Sequence, residues 1–380
     1  MRGSLLGLSR DNFLITLSML LWGSGEGLWF YLQPLYVKSL GANPLQIGFV
    51  LSVAPVVMLF AFIPAGILAD RYSRKKNMLG GYLAGAIAVL LLALARDWRE
   101  STFGFLLYYS SAYCLPAIHA YVAHASEGQD LNRIFTVMYA AHTLGLTLSP
   151  AVGGWLGEVA GFRAVFGLSG LFLALSTFIV IWLREQPVTP APFQFGFHEI
   201  LSNKRLLLIY TLFVPTFLAL YLGQPFAPNY LQEVVGLELF WIGFLGSVHA
   251  LGATVLSLWL GRLSEGAGGF IIGQGLVFVS LLIFLKFKAI PLLVLSFFLR
   301  GAFNACRSLA MAQTGKVLSA RSAGLAFGIF NTAYNLSTVL APYLAGWLYT
   351  SRPDLPLLIS AAMILVMMAF SFVLVRGDAG

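Results

Sequence analysis

Glu26 is the residue on which a chemical reading of this sequence turns. Of the fifteen acidic residues it alone sits well inside an apolar run, in Trp22-Gly-Ser-Gly-Glu26-Gly-Leu-Trp29. An ionisable group in an apolar helix is costly and needs a reason. Burial disfavours the ionised carboxylate and brings the group toward the range where it can load and release a proton. An ionised Glu26 could instead hold a cationic substrate, and a third reading is a carboxyl that only packs helices together.

Arg300, Asn304 and Arg307 follow at steps of four and three, which places them on one helix face. Turned inward, that face is a cationic stripe whose guanidinium forks match a carboxylate or phosphate. It could also set when the proton leaves Glu26. Arg307 could equally snorkel toward an interface, whereas Arg300 is too central to do so easily. Another run supplies Tyr108, Tyr109, Tyr113, Pro116 and His119, with Tyr109, Tyr113 and Pro116 sharing a face. Such tyrosines make amphipathic walls for a ligand, or simply pack. His119 and His124 point about 140° apart around a helix, which argues against a shared metal. Tyr221, Gln224 and Asn229 add polar contacts further on. The expected substrate-binding set is therefore Glu26, Trp29, Tyr109, Tyr113, Gln224, Arg300, Asn304 and Arg307. Glu26 is the proton-coupling residue, with no metal and no cofactor.

The elements that must position these residues are membrane helices. The 380 residues are 59% hydrophobic and 10% charged, with a mean hydropathy of +0.84. A span needs about 20 apolar residues to cross the hydrocarbon layer. By that rule twelve helices fall near 12–33, 46–69, 77–95, 102–124, 134–157, 163–183, 205–231, 240–261, 269–287, 290–314, 323–349 and 356–376. Residues 184–204, with Pro187, Pro190 and Pro192, read as a cytoplasmic linker between bundles 1–183 and 205–380; Phe193 to Phe197 could lie on the membrane surface. No cleavable signal peptide is apparent. Cys114 and Cys306 fall inside spans and read as small buried side chains rather than a disulfide. The net charge of +8 resides in short loops, where it sets topology rather than binding nucleic acid. Fourteen basic residues fall on the side of the termini and seven on the other, so the termini are expected in the cytoplasm.

The two halves repeat. Ile47-Gly48-Phe49 with Ser52 returns as Ile242-Gly243-Phe244 with Ser247, and Gly66-x-Leu68-x-Asp70 as Gly261-x-Leu263-x-Glu265. Phe135, Pro150 and Gly154-Trp155-Leu156 return as Phe327, Pro342 and Gly346-Trp347-Leu348, and Cys114 as Cys306.

Between the second and third spans stands Gly66-Ile-Leu-Ala-Asp70-Arg71-Tyr-Ser-Arg74-Lys75-Lys76. It resembles the signature loop of the major facilitator superfamily, with Ser73 where that family usually has glycine. Gly145-x3-Ser149-Pro150-x2-Gly153-Gly154 resembles the fifth-helix motif of the family's drug/proton antiporters, with Ser149 replacing a glycine. The fourth-helix arginine motif of those antiporters is absent. The resemblance implies an all-α membrane protein of twelve helices in two six-helix bundles, with helices 1, 4, 7 and 10 lining a central cavity. It also implies that Asp70 sits near the amino end of helix 11 as a latch on the outward-facing state. The gating residues implied are Gly66, Asp70, Arg71, Arg74, Pro150, Gly154, Glu265 and Pro342. Glu265 is the weaker counterpart of Asp70, since no basic run follows it.

No nucleotide-binding loop or nucleophile triad lies in any extramembrane segment, so neither an enzyme nor an ATP-driven pump is expected. The leading expectation is a multi-pass cytoplasmic-membrane secondary transporter, working as a monomer in the lipid bilayer by alternating access. It would expel a small amphiphile or metabolite in exchange for protons. The second is uptake or exchange of an organic anion or sugar phosphate held by Arg300 and Arg307. A remote third is a membrane sensor or enzyme acting through His119 or His124.

Overall fold

The computed structural model describes residues 8–71, 73–126, 130–186, 204–263, 268–316 and 323–377. Among these residues twelve helical spans follow in order. They are α1 (Arg10–Phe30, continued by the short helix Gln33–Ser39), α2 (Pro44–Arg71), α3 (Arg74–Leu94) and α4, which runs in pieces (Trp98–Ser110, Ser111–Cys114, Leu115–Ala125). One run, Leu131–Ile181, holds both α5 (131–160) and α6 (162–181). The second half comprises α7 (Lys204–Leu222, Ala227–Tyr230 and Leu231–Val235), α8 (Leu239–Leu263), α9 (Gly268–Lys286), α10 (Ile290–Arg300 and Ala302–Lys316), α11 (Ala323–Ser351) and α12 (Leu355–Gly377). The chain has the all-α, twelve-span architecture expected from its hydropathy.

The breaks have local causes. A loop was expected between residues 157 and 163. The chain instead turns at Gly161, whose φ of 78° is open to glycine at little cost. In α4 a 3-10 turn, Ser111–Cys114, precedes Pro116, which sits in the first turn of the next piece, where a missing N–H costs nothing. In α10 the break falls at Gly301, where a Cβ would strike the backbone of Gly252 and Ala253 on α8. Ser73, where the signature loop usually has glycine, is the N-cap of α3: its Oγ accepts from the Lys76 N–H (3.3 Å) and donates to Glu185 (2.6 Å). Outward-facing apolar side chains such as Leu94 (71% exposed) and Phe103 (69%) form a surface suited to lipid.

The chain packs as two compact units: residues 1–42, 53–192 and 238–247 in the first, and 43–52, 193–237 and 248–380 in the second. Each unit is thus built mainly from one half of the chain, with one helix start drawn from the other.

The sequence repeat reappears as repeated contacts inside each unit. In the first, Cys114 packs on Gly81, and Gly243 lies against Pro150 and Gly154. In the second, Cys306 packs on Gly273, and Gly48 lies against Pro342 and Gly346. Both cysteines are buried and free. Helix prolines bend their helices and loosen nearby backbone bonds, and here both prolines are treated alike. The Ala151 N–H, just after Pro150, donates to Ser247 Oγ (3.1 Å), and the Tyr343 N–H, just after Pro342, donates to Ser52 Oγ (3.0 Å).

Candidate functional site

In the first unit α1 and α5 cross on small residues. A Cβ on Gly23 would strike the His142 carbonyl, one on Gly145 would strike the backbone of Gly23 and Ser24, and one on Gly153 the Leu28 carbonyl. Ser149, which replaces the family's glycine, faces Gly27, so the space given up on α5 is recovered on α1. This close approach brings His142 Nε2 to 3.3 Å from the Glu26 carboxylate. The two side chains keep 20% and 18% of their surface accessible, enough for a proton or a ligand atom to reach them.

Around the pair stands an aromatic wall from α1, α3 and α4. Trp22 lies on Tyr82 (4.8 Å between centroids) and stacks with Tyr108 (6.2 Å), and Tyr108 meets Tyr109 edge-on (6.0 Å). The buried Tyr108 hydroxyl lies within reach of the charge on Glu26. His142 was absent from the expected set. The signal was available: it lies three residues before Gly145, on the same helix face as Ser149 and Gly153.

Two members of the expected set lie elsewhere in this unit. Trp29 is fully buried among Phe30, Phe105, Tyr108 and Phe166, and offers a ligand no surface. Its enrichment beside Glu26 reflects core packing. Tyr113 projects toward Gly80 on α3, where the absent side chain leaves room for its hydroxyl. His119 is engaged with the Tyr139 hydroxyl of α5 at 2.5 Å. A cavity of about 300 Å³ at the end carrying the amino terminus is lined by Asp11, His124 and Arg184; another of about 350 Å³, lined by Tyr36, Arg96 and Arg163, also excludes Glu26.

In the second unit the expected stripe does not form as one surface. Arg300 is 2% exposed, its guanidinium stacked 4.6 Å from the Phe284 ring of α9 and 4.5 Å from Phe297, beside His249 of α8. Arg307, half-buried, lies instead over Tyr334 of α11 at 4.3 Å. The two guanidinium groups therefore serve different neighbours. Helical spacing places Cα atoms on a face, but long side chains choose their own partners across it. Asn304 is half-buried between them. Phe303 stacks with Tyr221 (5.5 Å) and with Tyr334 (6.0 Å), so Arg307 edges an aromatic patch. Gln224 folds back on its own helix, donating to the Leu220 carbonyl (3.0 Å).

Of the gating residues, Arg74 donates to Gln186 (3.3 Å), tying the start of α3 to the segment that follows α6. Pro150, Gly154 and Pro342 occupy the helix contacts described above. The side chains of Asp70 and Arg71, the surroundings of Gly66, and Glu265 with residues 187–203 lie outside the described residues. Glu158 of α5, not singled out by sequence, accepts from the Phe240 N–H at the start of α8 (3.0 Å). A carboxylate at a helix amino end is favourable.

The family model described as Major Facilitator Superfamily matches residues 13–269 and 267–379. An uncharacterised MFS-type transporter, MJ1560, of Methanocaldococcus jannaschii is 21% identical over 364 residues, covering 90% of this chain and 92% of its own. The multidrug resistance protein MdtG of Enterobacter lignolyticus is 28% identical, covering 88% and 84%. A homologue of the multidrug efflux pump PmrA in Lactococcus lactis is 25% identical, covering 72% and 71%. Among solved structures, the nucleoside transporter NupG superposes with a TM-score of 0.76 at 17% identity, covering 97% and 98%. The peptide transporter POT in complex with sulfate gives 0.76 at 15% identity, covering 99% and 95%. These likenesses bear on fold.

Proposed function

This chain belongs to the Major Facilitator Superfamily and is a transporter rather than an enzyme, and we propose that it exports a small amphiphilic compound in exchange for protons. The observation that carries this reading is the Glu26–His142 contact, an acid and a base at 3.3 Å between two membrane-spanning helices. Ionisable groups at that depth mark proton or substrate pathways. The half-buried Trp22 and Tyr109, backed by the buried Tyr108, suit a flat, lipophilic cation, which the ionised carboxylate would neutralise. Relatives named for multidrug resistance and efflux support export over uptake. The protein would work as a monomer in the cytoplasmic membrane, by alternating access, with both termini in the cytoplasm. Exchanging one proton for one monovalent cation moves no net charge across the membrane, so the pH gradient, worth about 1.4 kcal/mol per unit, drives the export.

The test is transport of ethidium, a lipophilic monovalent cation, by purified protein in liposomes under an imposed pH gradient. Wild type should move ethidium against its gradient, and Glu26→Gln should lose the pH-driven component. A substrate panel in which only anions move, indifferent to pH, would overturn the proposal in favour of anion exchange. The half-buried Arg307 beside Tyr334 is the feature that would serve such a substrate.

A further inference from the structure

We propose that the coupling unit is the Glu26–His142 pair acting as one proton site, with His142 as the residue that holds the exchangeable proton. The inference rests on the proton-coupled reading and deepens it. Glu26 comes from α1 and His142 from α5, and the glycine crossing on either side of them leaves neither backbone room to drift. The pair is therefore a built feature of the crossing.

Other groups facing the pair can be set aside in turn. Tyr108 and Tyr109 approach from α4, and phenols ordinarily stay neutral below about pH 10. At this level α6 contributes Ser169, Phe172 and Leu173, which pack on Gly25 and do not titrate. The charge of the site is then set by two groups and has three values. With no proton the pair carries −1. With one proton it is neutral, whether imidazolium faces carboxylate or imidazole faces carboxylic acid. With two it carries +1.

Two acceptors 3.3 Å apart compete for one proton, so the pair gains and loses protons as a unit rather than as two independent side chains. A monovalent cation docking on the carboxylate repels the imidazolium, whose proton leaves from Nε2 to water. The site is neutral before and after: one proton out, one cation in. Reversal returns the proton to Nε2 as the cation departs. Charge balance thus makes occupancy by proton and by cation mutually exclusive, which is what exchange requires.

The test is an infrared titration of the purified protein, following the carboxylic-acid band that Glu26→Gln removes, in wild type and in His142→Gln. Glutamine keeps a hydrogen-bonding side chain of similar reach but cannot hold the charge. Because the two groups exchange protons as a unit, removing the imidazole should shift the pH at which the carboxylic-acid band appears and change the pH dependence of ethidium efflux. A band that titrates at the same pH in both proteins overturns the proposal, whatever transport does, since a merely structural histidine predicts that result. A shifted band together with efflux that ignores pH upholds the pair and overturns proton-driven export. An unchanged thermal unfolding temperature in His142→Gln separates a charge effect from misfolding.

Discussion

Arg300 and His142 show how far a residue's role departs from its position in the chain. Arg300 lies mid-span, where it looked like an anion ligand, yet 2% exposure and two phenylalanine rings within 5 Å make it part of the second unit's core. A desolvated guanidinium over an aromatic face is worth about 2 kcal/mol or more, and the side chain also fills volume. Arg300→Met, which keeps most of that volume, is expected to fold and to retain ethidium efflux. Arg300→Ala leaves a cavity and should lose about 2–5 kcal/mol. Thermal unfolding in detergent checks both, and equal stability of the two variants would show that packing is not what Arg300 supplies. Glu26 was legible because a carboxylate well inside an apolar run is costly and needs a reason. His142 was missed: its place on the small-residue face of α5 could be read from the sequence, but its partner could not until α1 is laid against it.

At the level of elements, the repeat is the informative feature. Ser52 and Ser247 correspond in sequence, as do Pro150 and Pro342. In the structure each serine serves the backbone N–H that follows a helix proline. A net hydrogen bond of this kind contributes about 1 kcal/mol. Ser52→Ala and Ser247→Ala should each lower stability by about that much. The double variant should lose about twice as much, since distant sites add. Urea or thermal unfolding of the three proteins would show it, and a double variant no weaker than either single one would refute independence. These contacts join α8 to α5 and α2 to α11, and alternating access would require such helix pairs to part. Stabilising them too strongly should slow transport. Ser73 belongs here as well: an apparent lapse from the glycine of the signature loop is a working N-cap.

Across the whole molecule, charge distribution makes the strongest claim. Basic loops resist translocation, so the side carrying Arg71 to Lys76 should face the cytoplasm. The native cysteines are buried and should be silent toward a membrane-impermeant maleimide in intact cells. A cysteine placed at the exposed Arg99 should label from outside, whereas one at the exposed Lys76 should label only after permeabilisation. Reversed labelling would invert the topology and, with it, the direction of export.

Hydropathy determined the number of spans and, within a few residues, their limits, because the cost of an unsatisfied backbone in lipid leaves a chain little choice but helix. It placed a loop where the chain makes only a turn at Gly161, and it missed the breaks at Ser111 and Gly301, where proline or close glycine contacts act locally on a helix that composition alone would continue. The internal repeat was equally plain in the sequence, since both copies preserve small residues and prolines at the same spacing. Pairings were another matter. That Glu26 would meet His142, that Arg300 and Arg307 would part company, and that Trp29 would be core rather than wall all depend on which helix faces come together. Those choices are made by close fits between helix faces, some of them more than a hundred residues apart as Glu26 and His142 are, and only the folded chain brings them into register.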